Sequence, residues 1–182
     1  MKKPIFIYVV VWLIAAVLRV LFFHEINSSL WMLSTLVDWG MILAGVCLAI
    51  GLLFLKRPLP IATAIAIGGI VWLSWFTSVG WLTGAHFRVW RMESSYEAEV
   101  ARILAMSDEE LKAYKGSVEV EAGPPRRVAF SWGGIIDNWI GVVYDPSGQV
   151  LNVDQAEVRS LFGGDLQAAY HLWGPWYYCV FT

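Results

Sequence analysis

The chain has 182 residues, 58% of them apolar and only 15% charged, with a net charge of −2. Soluble domains run nearer to about 45–50% apolar and 25% charged, so the composition argues against an ordinary soluble protein and points to lipid. Residues 1–83 carry five basic and two acidic side chains and residues 84–182 eight and thirteen, an acidic second half with no basic cluster, which argues against nucleic acid as a partner.

In chain order, the first apolar run is Pro4 to Phe23, PIFIYVVVWLIAAVLRVLFF. It reaches the roughly 20 residues that cross a hydrocarbon core. Lys2 and Lys3 precede it, but no small-x-small cleavage site follows, so it reads as a span and not as a cleaved signal peptide. The segment HEINSS follows as a tight loop, whose Asn27-Ser28-Ser29 fits the glycosylation pattern but is too confined to serve as one. The second run, Trp31 to Leu55, contains Asp38, and the turn KRPLP leads to the third, Leu59 to Thr83. These spans, near 4–23, 31–55 and 59–83, predict a three-helix transmembrane bundle occupying residues 1–83.

Cytoplasmic loops collect Lys and Arg. Lys2, Lys3, Lys56 and Arg57 lie at one end of the spans and only Arg88 and Arg91 at the other. The expected orientation has the N-terminus in the cytoplasm of a bacterial inner membrane and residues 84–182 in the periplasm. Trp31, Trp75, Trp81 and Trp90 fall near the outer boundary, as an interfacial aromatic belt requires.

A carboxylate such as Asp38 inside a span costs roughly 2.5–3.5 kcal/mol on insertion scales. Arg19 lies about 6 Å from the outer end of the first span and Asp38 about 10 Å from that of the second, at 1.5 Å per residue. Antiparallel neighbours place the two within reach, so an intramembrane Arg19–Asp38 ion pair is expected. Ser34, Asp38, Met41, Gly45 and Ala49 form a polar and small stripe on the second span. Tyr8, Trp12, Ala15, Ala16 and Arg19 do the same on the first. Ser74, Thr77 and Ser78 supply polar groups on the third, where Ala64 and Gly68 make a small-xxx-small step. Two roles compete for the pair: fixing helix register, or lining an ion path in an oligomeric transport or channel subunit.

Beyond Gly84 the pattern becomes that of a small α+β domain with an antiparallel sheet, residues 84–182. Ala85, Val89, Met92, Tyr96, Val100 and Ile103 step as an amphipathic helix that continues the third span. SDEELKAYKG predicts a short helix over 108–115, opened by a capping box of Ser107 and Glu110 and stopped by Gly116. SVEVEA and RRVAFSW read as strands broken by Gly123-Pro124-Pro125. WIGVVY, DPSG and QVLNV read as a hairpin, AEVRSLFGG as a helical turn, and AAYHLW with WYYCVF as a last hairpin about Gly174-Pro175.

Chemical motifs are sparse. His171 with Ser131 and Asp137 or Asp165 is the one conceivable triad, a periplasmic-enzyme reading that no G-x-S-x-G supports. Gly133-Gly134 and Gly163-Gly164 do not extend to a phosphate loop, and Asp137, Asp145, Asp154 and Asp165 lack calcium-loop spacing. Cys47 and Cys179 lie in different halves, so neither a disulfide nor a metal site is expected, nor any cofactor. Aromatic density is the outstanding feature: Trp132, Trp139, Tyr144, Tyr170, Trp173, Trp176, Tyr177 and Tyr178 fall within 47 residues. Exposed Tyr and Trp anchor protein interfaces, which makes Trp139, Tyr144, Trp173, Trp176 and Tyr178 candidates for binding a partner. The reading that follows is a non-enzymatic membrane protein whose outer domain binds a protein in the envelope, such as an immunity or inhibitor protein against a membrane-acting toxin.

Overall fold

A computed structural model describes residues 3–30, 32–55, 58–135, 138–152, 162 and 165–182. Six helices come first: α1 Lys3–Leu21, α2 Phe23–Leu30, α3 Met32–Leu53, α4 Pro58–Trp75, α5 Ser78–Leu104 and α6 Asp108–Ala113. Five strands follow: β1 Glu119–Glu121, β2 Arg127–Ile135, β3 Asn138–Tyr144, β4 Leu166–Trp173 and β5 Trp176–Phe181. The chain divides into two compact units, Met1–Arg88 and Val89–Thr182, with the division inside α5. The helical turn expected over 156–164, with Gly163 and Gly164, lies outside the described residues, as do Lys2, Trp31, Lys56, Arg57, Asp137 and Asp154.

In the first unit, α1 and α3 are long and apolar enough to cross a membrane, and α4 with α5 supplies a third crossing if that bent pair is taken as one span. The core is Val9, Trp12 and Ala16 on α1, Leu52 on α3, and Ala64, Ile67 and Val71 on α4. Gly45 lets α3 pass beneath Trp12, since a Cβ there would lie 2.6 Å from the indole ring. The indole in turn donates to the Met41 carbonyl at 3.1 Å. Leu36, Leu43, Phe54 and Trp72 point outward, as they do on helices that face lipid.

Four expectations for this unit are corrected. Tyr8 and Ala15 are exposed, so the inward stripe of α1 is Val9, Trp12, Ala16 and Arg19. Gly68 faces outward with nothing within 4 Å of a Cβ, so Ala64 has no small partner across that step. HEINSS is not a loop: Phe22 and Ile26 keep bonding to the carbonyls four residues back, and the segment coils as α2. The third run does not continue straight to residue 83, because α4 ends at Trp75 and α5 leaves at 70°. At that break the Thr77 hydroxyl donates to the Leu73 carbonyl at 2.6 Å and accepts the Val79 amide at 3.2 Å. A threonine that bonds to nearby backbone in this way competes with the helical ladder and bends it.

The second unit is an antiparallel sheet in the order β1-β2-β3-β5-β4. Alternation along β5 sends Trp176 and Tyr178 to one face and Tyr177, Cys179 and Phe181 to the other. The second face closes over Ala129, Val143, Val150 and Phe162. The first packs on Phe130, Trp132 and, from α5, Tyr96. The Trp132 indole donates to the Tyr96 hydroxyl at 2.9 Å, which satisfies both polar atoms in that apolar layer. Each such large ring contributes about 1.5–3 kcal/mol by leaving water.

α6 has its capping box, with Ser107 Oγ and Glu110 Oε2 each accepting the other residue's amide. It ends at Ala113, two residues before the expected Lys115. The described part of QVLNV, residues 149–152, forms no strand. Both edges of β3 are already taken by β2 and β5, and Gln149–Leu151 coils into a 3-10 turn instead. The Asp145 carboxylate shapes that turn by accepting the amides of Ser147 and Val150 and the Ser147 hydroxyl. Gly148 allows the reversal with a φ of +70°.

Candidate functional site

Arg19 and Asp38 meet. Nε and Nη2 of the guanidinium donate to the two carboxylate oxygens at 2.8 and 2.7 Å, a fork-on-fork pair in which Arg19 is 3% exposed. Arg19 further donates to Asn27 Oδ1 at 2.7 Å and to the Phe23 carbonyl at 3.3 Å, and its charge rests 4.6 Å from the centre of the Phe23 ring. Trp75, at the end of α4, donates its indole N–H to Asp38 Oδ1 at 2.8 Å. The pair therefore draws ligands from α1, α2, α3 and α4, and bidentate charged bonds of this kind are both strong and directional.

Asn27 and Trp75 are partners the sequence reading placed elsewhere, one in a loop and the other in an aromatic belt. A signal was available: both carry side-chain hydrogen-bonding groups at the depth of Arg19, where any polar atom needs a partner. Of the expected polar cluster, Ser34 is buried, Ser74 and Thr77 are half-buried, and Ser78 is exposed. Thr77 is bound to local backbone and not to the charged pair. Behind this layer, buried His24 donates from Nε2 to the Trp81 carbonyl at 3.1 Å. Arg88 lies 3.9 Å from Glu25.

In the sheet unit the aromatic candidates separate into two groups. Trp176 and Tyr178 are 2% and 4% exposed, so they are core residues and present no ring to a partner. Both faces of the sheet are covered, which is how consecutive rings on one strand all become buried. Trp139 is half-buried and stacks on Phe181 at 3.9 Å with 14° between planes, so its ring is also committed inward. Tyr144 and Trp173, likewise half-buried, lie at one end of the sheet, where the Tyr144 ring meets Trp176 edge-on at 5.2 Å and both rings border open space.

Those two rings border an open groove of about 380 Å³ against the outer face of α5. Its helical wall is Glu93, Glu97 and Ala101, one face of α5 at spacing four. Its other wall is Tyr144, Trp173 and Pro175, and Trp176 forms the floor. The Trp173 indole donates to Glu93 Oε1 at 3.0 Å and holds that carboxylate at the rim. Glu97 is exposed. Among the described residues none that lines the groove is basic. Two carboxylates beside aromatic faces attract cations, through charge and through the ring quadrupole. Nothing in the spacing of the glutamates had marked them, because a charged stripe on an amphipathic helix usually only meets solvent.

Several other polar groups of this unit hold the fold. Buried Arg127 donates to Glu121 at 2.7 Å and to Gln149 at 3.2 Å, with Nε 3.4 Å from Asp145. Burial raises the Asp145 carboxyl, but bonds from Ser147 and Val150 together with the Arg127 charge outweigh it and hold the group below the usual range. Burial pushes the Cys179 thiol up, which keeps it protonated and inert. The His171 ring is exposed, and its Nε2 bonds the Gly174 carbonyl of its own hairpin turn at 3.0 Å. Among the described residues no three His, Cys, Asp or Glu side chains converge as a metal site. No family model matches this chain, and neither a curated protein nor a solved structure is significantly similar to it.

Proposed function

We propose that this chain is a non-enzymatic protein of a bacterial inner membrane whose C-terminal sheet unit binds a protein partner in the periplasm. In this reading the first unit crosses the bilayer three times with the N-terminus in the cytoplasm, and Arg19–Asp38 fixes the register of its helices. The observation that carries the proposal is the open groove with half-buried Tyr144 and Trp173 beside Glu93 and Glu97. It combines the residue types enriched at interface centres with a fixed hydrogen bond. An immunity or inhibitor protein against a membrane-acting toxin is the concrete form proposed. The ion-path reading has less support, because the Asp38 oxygens already accept three bonds.

A photo-crosslinking residue at Ala101, within the groove, tests this in native membranes. The expected result is one recurrent crosslinked polypeptide, absent when the same residue replaces exposed Gln167. Equal or no crosslinking at both positions would remove the groove as a docking surface.

A further inference from the structure

Resting on that reading, the geometry points to an arginine side chain of the partner as the group that fills the groove between α5 and the β4–β5 turn. Glu93 and Glu97 stand four residues apart on α5, a like-charge spacing that is unfavourable on a helix surface. The other groove-lining positions on α5, Val100, Ala101 and Leu104, are uncharged. Among the described residues the opposite wall, Tyr144, Trp173 and Pro175, is also without a cation. An incoming positive charge relieves the repulsion and meets both carboxylates at once.

The shape favours guanidinium over ammonium. Glu93 is held in place through Oε1 by the Trp173 indole, and a planar fork can take carboxylate oxygens along its edge while its face lies on Trp173 or Tyr144. An ammonium is a compact, strongly hydrated point charge that gains less from both features. The floor is Trp176, 2% exposed, so the end of the groove is apolar and accommodates the methylene stem of a long basic side chain. At about 380 Å³ the space lies at the small end of ligand clefts, suited to one or two side chains and not to a folded element.

The test uses the full chain in nanodiscs of phosphatidylglycerol, which carries no cationic headgroup. N-acetyl-arginine amide is titrated against its uncharged isostere N-acetyl-citrulline amide, with the indole N–H signal of Trp173, assigned through Trp173→Phe, as the readout. The arginine compound is expected to shift that signal saturably and at least tenfold more tightly than citrulline. Glu97→Gln, at an exposed position that leaves the fold intact, should weaken it at least fivefold. The dispersed indole signal of Trp132, which is buried and does not line the groove, reports that the core is unchanged.

Equal responses to the two compounds, or a response indifferent to Glu97→Gln, would overturn the inference. Loss of the arginine response in phosphatidylglycerol discs doped with a minority of phosphatidylcholine, whose surface stays anionic, would make a lipid headgroup the occupant. A purified dimer that Glu97→Gln dissociates would make a second copy the occupant, and either result also overturns it. A partner captured at Ala101 whose binding ignores Glu97→Gln would leave the docking proposal standing and remove only the arginine.

Discussion

The indole nitrogen of Trp75 sits 2.8 Å from Oδ1 of Asp38, so the end of α4 is tied to a charge pair that α1 and α3 already share. One carboxylate thereby fixes three helices against one another, which gives a buried charge a structural reason to be kept. Removing one member should strand the other. Asp38→Asn is expected to cost about 3–5 kcal/mol, because it leaves the guanidinium of Arg19, 3% exposed, without its counter-charge. Trp75→Phe should cost less, about 1.5–3 kcal/mol, the scale of one bond to a charged group. Arg19→Met with Asp38→Leu should recover most of the loss. Denaturation in mixed micelles measures all three. A stable Asp38→Asn protein with altered ion flux would favour the ion path instead.

Gly80 faces the carbonyl of Ser74 across the break between α4 and α5, and a Cβ at that position would collide with the carbonyl oxygen. The obstacle is backbone and cannot rotate away. Gly80→Ala should therefore open the 70° angle or melt the start of α5, with a lowered Tm. Gly68→Ala, on the same stretch, meets nothing within 4 Å and should leave Tm unchanged or slightly raised. Equal effects at the two positions would show that the break is not held by this contact.

The contrast between these two glycines shows where sequence reading stops. Spacing and hydropathy locate the apolar helices, and the antiparallel depth argument brings Arg19 to Asp38. Neither reveals that Gly68 faces outward or that Gly80 is pressed against backbone, since both lie in the same apolar run. The bend itself arises from a local competition at Thr77, whose hydroxyl serves two backbone groups, and average hydropathy does not register it. Strand alternation identifies β1, β2, β3 and the β4–β5 hairpin. It overreads QVLNV, because the edge of β3 that this segment would need is filled by β5 from nearly thirty residues further along the chain. The acid–aromatic groove is invisible for the same reason, since Glu93 and Trp173 are 80 residues apart.

The proposed orientation can be read with a single thiol. Cys179 is buried, and burial holds its thiol protonated, so it should not react with a maleimide while the sheet is folded. With exposed Cys47 replaced by alanine, a cysteine at exposed Lys115 becomes the reporter. In spheroplasts a membrane-impermeant maleimide is expected to label Lys115→Cys before lysis. Labelling only after permeabilisation would put the sheet unit in the cytoplasm and reverse the topology.

Acid should loosen the sheet unit through Asp145. Its carboxyl is 1% exposed, accepts three hydrogen bonds and faces the Arg127 guanidinium, and these contacts hold its folded-state pKa below the usual value. A carboxyl depressed by folding contributes stability in full above its unfolded value near about 4, and that contribution is lost as pH falls through the lower folded value. Glu99 is lowered as well, chiefly by its bond to Arg102, but it lies near the surface, where solvent screening keeps the effect small. The two sources are separated by Asp145→Asn. That variant should be less stable than the parent at pH 7, by about 1–3 kcal/mol for a buried acceptor whose donors lose their charge-assisted partner. The gap should narrow steadily between about pH 5 and pH 2 as the parent carboxyl protonates. Urea unfolding followed through the tryptophans of the sheet measures it, and a gap that stays constant with pH would show that Asp145 acts through shape and not through charge.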